Sequence, residues 1–219
     1  MKKRKLLGLA GAVAVAFAAS SAHATLQEAS PFKVDINGTG LGNVQTILTI
    51  TSPANTTTEL GSVFANGTGE MTSGNTITSH NNLGTFSGSA SDLRIVFNPS
   101  EPQNDNDGIT LQSLVLTAFD ADGNQHFMSG MFSPVALTST DAGTGQSGFV
   151  FKLDPTQTSM LDAAISLGAT RIGLSAMALD ATGGNETFFL AAVPEPGTWA
   201  MLAVGLIGVA GMVRRRVPF

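Results

Sequence analysis

The chain has 219 residues, 42% of them hydrophobic and 12% charged, with 25 Gly, no Cys and a formal net charge of -5; this is enough for one modest domain with addenda. Without Cys there is no disulfide scaffold, thiol catalysis, Cys-ligated zinc or iron–sulfur cluster, and the acidic balance disfavours nucleic acid as a partner. The charge is segregated: Lys and Arg cluster at positions 2 to 5 and 214 to 216, while residues 25 to 193 set 15 acids against only Lys33, Arg94, Lys152 and Arg171, a net of -11.

Residues 1 to 24 combine a basic start, an apolar stretch from Leu6 to Ala19 and small residues ending Ala22-His23-Ala24. That order predicts a secretory signal peptide, with Ala22 and Ala24 offered to signal peptidase before Thr25. The stretch is shorter than the roughly 20 residues a membrane span needs, which argues against an uncleaved anchor.

Residues 25 to 192 are rich in Thr, Ser, Gly and Asn, and their short apolar alternations fit a period of two. They predict an extracytoplasmic, mainly β domain. Candidate strands are Phe32 to Ile36, Val44 to Thr51, Leu60 to Ala65, Asn75 to Ser79, Leu83 to Ser87 and Leu93 to Phe97. They continue at Ile109 to Phe119, Gln125 to Phe132, Phe149 to Leu153, Arg171 to Leu179 and Thr187 to Ala191. Asp122-Gly123 between two β-prone runs reads as a hairpin turn whose glycine takes a positive φ. Ala178 to Phe189 echoes that pattern and suggests a second hairpin.

One helix interrupts the strands. Asp154 caps it, Pro155 suits its first turn, and Met160, Leu161, Ala164, Ile165 and Leu167 supply an apolar face before Gly168. The predicted architecture is an antiparallel two-sheet sandwich of jelly-roll or Ig-like kind, with 11 of the 13 Phe feeding its core.

After Val193 comes Pro194-Glu195-Pro196, an extended strip because proline removes amide donors and restricts its predecessor. The uncharged stretch Thr198 to Val213 then has 16 residues, about 24 Å as a helix. A bilayer core is near 30 Å thick, and Trp199 with Arg214, Arg215 and Arg216 can cover the shortfall at the two interfaces. Basic residues after the helix keep that end cytoplasmic and leave the domain outside.

Residues 193 to 219, in this tripartite order, resemble the PEP-CTERM sorting signal of Gram-negative bacteria. The resemblance implies that an exosortase reads Pro194, Glu195 and Pro196, removes the helix, and releases or transfers a domain until then held in the inner membrane. It also implies a destination at the cell surface or in an exopolysaccharide matrix. A Pro-rich spacer before a permanent anchor is the competing reading of the same residues.

For chemistry in the domain, the only histidines after residue 24 are His80 and His126, both beside predicted turns, and no G-x-S-x-G elbow is present. Asn104-Asp105-Asn106-Asp107-Gly108 and Asp120-Ala121-Asp122-Gly123-Asn124 gather oxygen donors of the sort calcium takes, but the EF-hand positions fail: Gln103 and Leu114 in one frame, Ala118 and Ser129 in the other. No resident cofactor is expected, calcium being the one ion these loops admit. The domain has no Tyr, and the only Trp lies at the membrane boundary, which disfavours a stacking lectin. The expectation is a non-enzymatic exported surface or matrix protein; the alternatives are a calcium-dependent carbohydrate-binding module and, less favoured, a hydrolase using two carboxylates.

Overall fold

The structure is a computed structural model that describes residues 26–35, 44–77, 81–100, 108–138 and 147–193, together with Val204 and Ile207. The described residues are mainly β, with two antiparallel sheets, an α-helix and a short 3-10 turn at Ala90–Asp92. The strands are β1 (Leu26–Asp35), β2 (Val44–Thr51), β3 (Glu59–Asn66), β4 (Gly69–Gly74), β5 (Gly84–Thr85) and β6 (Leu93–Asn98). They continue with β7 (Ile109–Phe119), β8 (Gln125–Met128), β9 (Val135–Leu137), β10 (Ser147–Leu153), β11 (Arg171–Leu179) and β12 (Asn185–Ala192), and α1 (Pro155–Ser166) lies between β10 and β11.

One sheet has the order β1-β10-β6-β12-β2, the other β4-β3-β11-β7-β8, with β5 pairing β11 and β9 pairing β7 off that path. A single core cluster draws Ile50, Phe97, Phe149, Phe188 and Leu190 from the first sheet and Val63, Leu114, Leu116, Ile172 and Leu174 from the second. Alternation explains the choice. In β12 the buried Glu186, Phe188 and Leu190 share one face, as strand geometry requires. Phe97 and Phe188, cross-strand partners, stack with centroids 4.7 Å apart. The sheets approach closely at Gly61, where an added Cβ would meet Ile50 Cγ2 at 2.8 Å and Thr76 Cγ2 at 2.5 Å.

The expected helix is present with its expected cap. Asp154 Oδ1 accepts from the amides of Thr156 and Gln157 at 2.8 and 3.0 Å. At the other end the amides of Gly168 and Ala169 donate to Ile165 and Ala164 carbonyls, a Schellman closure made possible by the φ of +95° at Gly168. Its apolar face is narrower than expected. Leu161 and Ala164 are buried, whereas Met160 and Leu167 stand in solvent, and Gln157 takes a buried place.

Two other expectations need correction. β4 and β9 were not among the expected strands, and the expected strand from Asn75 shrinks to one bridge between Ile50 and Thr76, with residues 78 to 80 outside the described ones. The echo at Ala178 to Phe189 is no hairpin. β11 belongs to one sheet and β12 to the other, so the segment between them crosses from sheet to sheet, turning at Asp180 with φ 63°. Ala181 anchors that crossing by donating to the Thr57 carbonyl at 3.0 Å.

Candidate functional site

The first hairpin is as expected. Gly123 has φ +87°, Gly123 N donates to the Asp120 carbonyl at 3.2 Å and Asp120 N to the Asn124 carbonyl at 3.0 Å; this is a tight loop closed by a left-handed glycine. A Cβ on Gly123 would run into the carbonyl oxygen of Gly67, so the loop packs backbone to backbone on the β3–β4 turn. Arg171 clamps the same place, donating to the carbonyls of Gly67 at 3.0 Å and Gly69 at 2.6 Å.

Both carboxylate oxygens of Asp120 are engaged inside this loop. Oδ1 accepts from the amides of Asp122 and Asn124 at 3.0 and 2.9 Å, while Oδ2 accepts from Asn124 Nδ2 at 3.0 Å and lies 2.9 Å from His126 Nε2. The bond from His126, then those from Asn124, hold the Asp120 carboxyl well below its ordinary value of 3.8. His126 Nε2 lies 2.9 Å from Asp120 Oδ2, so the imidazole braces the hairpin. Among the described residues no group of three or more His, Cys, Asp or Glu gathers as a metal site.

A surface cleft is lined by Leu26, Gln27, Glu28, Phe132, Val135 and Phe151 among others, with Glu28 its single ionisable side chain. A pair of carboxylates, the minimum for acid-base hydrolysis of a glycoside, is not found there. His80 and residues 104 to 107 lie outside the described residues, as do Ala22, Ala24, Pro194, Glu195, Pro196, Trp199 and Arg214 to Arg216. Among the described residues no helix is long and apolar enough to cross a membrane.

The described part of the domain ends at Val193. β12 remains paired through Ala192 with Leu93, and Val193 N donates to the Asp92 carbonyl at 2.8 Å. Pro194 follows at once. A family model for the PEP-CTERM protein-sorting motif matches residues 192–216. The chain carries a PEP-CTERM sorting motif. Its match begins where β12 ends, so the fold and the PEP-CTERM motif meet without an intervening linker. The PEP-CTERM motif implies export, a membrane-anchored C-terminal sorting signal and an exosortase as the processing partner. No curated protein and no solved structure matches the chain.

Proposed function

We propose that the chain is a non-enzymatic component of the cell surface or exopolysaccharide matrix. Residues 1 to 24 direct its export, and signal peptidase reads Ala22 and Ala24. The helix 198 to 213 then holds it in the inner membrane until an exosortase acts at Pro194-Glu195-Pro196. The observation that carries this reading is the sorting motif at residues 192–216, placed directly after the last strand. Support for a structural or adhesive role comes from the acidic polar domain and from the described candidates for chemistry: the Asp120 and His126 groups are spent on their own hairpin, and the cleft offers one carboxylate.

Of the two expected architectures, the strand order supports the jelly roll. Setting β1, β4, β5 and β9 aside leaves β2-β12-β6-β10 facing β3-β11-β7-β8, so that most successive strands lie in opposite sheets, as in a double Greek key. The functional reading is tested by fractionating a host with and without exopolysaccharide synthesis. Retention in the matrix of the producing strain and release to the medium of the other is expected; an identical distribution in both would refute matrix association.

A further inference from the structure

Glu186 is fully buried, and neither of its carboxylate oxygens has a hydrogen-bond partner. It shares the inward face of β12 with Phe188 and Leu190, so its side chain enters the space between the sheets. Its cross-strand partner is Ile50, the residue that crowds Gly61 of the opposite sheet. Two residues from Gly61, on the same inward face of β3, stands the equally buried Glu59. Ser52, two residues beyond Ile50, donates its hydroxyl to Glu59 Oε1 at 2.8 Å. Register, close approach and hydrogen bond therefore bring both carboxyl groups to one end of the sandwich.

An ionised carboxylate without a partner is strongly disfavoured in such an interior. The described cations do not answer it. Arg94 is spent on the carbonyls of Ser91 and Leu93, and Arg171 on the β3–β4 turn. Lys33 and Lys152 sit on β1 and β10, at the other side of the five-stranded sheet from β12 and β2. Among the described residues no lysine or arginine bonds to Glu186.

We infer that Glu186, with Glu59 and the Ser52 hydroxyl, binds a divalent hard cation, calcium, between the two sheets. The donors are all oxygen, which selects calcium over softer metals, and backbone carbonyls and water complete the six to eight ligands it takes. The ion ties β2 and β12 to β3 across the core, a structural lock independent of the matrix function proposed above and separate from the Asp120 hairpin.

The test is thermal unfolding of the full-length chain at neutral pH in excess calcium chloride and in chelator, with calorimetric titration of calcium alone. Calcium is expected to raise the melting temperature by about 5–10 °C at saturation. Glu186→Gln abolishes that rise and melts above the native chain in chelator, because the unpaired charge is gone; Asp122→Asn keeps the full response. Equal melting with and without calcium overturns the site. So does a chain that ignores calcium but gains stability on acidification from pH 8 to 5, since a shared proton then neutralises the pair. A response lost in Asp122→Asn and kept in Glu186→Gln places the ion in the hairpin and equally overturns the proposal.

Discussion

The amide of Val193 donates to the carbonyl of Asp92 across 2.8 Å, and it is the last described bond before Pro194. Leu190 and Ala191, just upstream, are 2% and 1% exposed. Cleavage on the motif side of Val193 therefore leaves the described sandwich whole. A chain ending at Val193 is expected to melt with the processed protein, whereas one ending at Phe189 forfeits the Leu190 side chain and loses about 2–5 kcal/mol. Differential scanning calorimetry of the two truncations checks this.

Phe188 and Phe189 are adjacent but face opposite sides of their sheet, the first fully buried against Phe97 and the second packed with Val96 and Val150 on the outer face. Phe188→Ala should cost about 3–5 kcal/mol through the cavity it leaves. Phe189 is only partly buried, and its replacement by Ala should cost clearly less. Urea midpoints of the two variants give the comparison, and equal losses would speak against the register described.

Gly123 holds φ +87° and abuts the Gly67 carbonyl. Gly123→Ala meets both the left-handed backbone penalty and the collision, and a loss of about 1–3 kcal/mol is expected. Gly168, with φ +95° but open space where a Cβ would go, should cost less on the same substitution. The pair separates conformational strain from crowding in one set of unfolding curves.

The carboxyl of Asp120 is held below its ordinary value of 3.8 by His126 and Asn124. A depressed folded value means that the ionised form is favoured in the native state, so the stabilisation is complete above pH 3.8 and falls away as acid titrates the folded carboxyl. Asp120→Asn should therefore be less stable than the native chain at pH 6, with the difference shrinking steadily below pH 4. Denaturant midpoints across that range test the sign; a difference that grows with acid would contradict it.

Periodicity was enough to find Val44–Thr51, Ile109–Phe119 and Arg171–Leu179 to the residue, because each alternates β-prone apolar residues with polar ones. It failed at β4, Gly-Glu-Met-Thr-Ser-Gly, a strand with mostly exposed side chains and no apolar face to betray it. The hairpin echo misled because Asp-x-x-Gly marks a reversal without saying which sheet the next strand joins. That choice is made by non-local pairing, here of β12 with β2 and β6. The sorting motif was readable because it is linear and local. The Glu59 and Glu186 site was not, since each acid stands among polar neighbours like a surface residue. The available signal was parity: Glu186 keeps step with Phe188 and Leu190, and Glu59 with Val63.

On the proposed route the chain is exported, cut at both ends and delivered outside the cell. Intact mass with cell fractionation, in a host possessing the exosortase and in one lacking it, tests this most directly. The expected result is an extracellular product without residues 1 to 24 and without the segment from about Pro194 onward, and a membrane-bound precursor when the exosortase is absent. A chain that keeps its C-terminal segment and stays in the membrane in both hosts would contradict it.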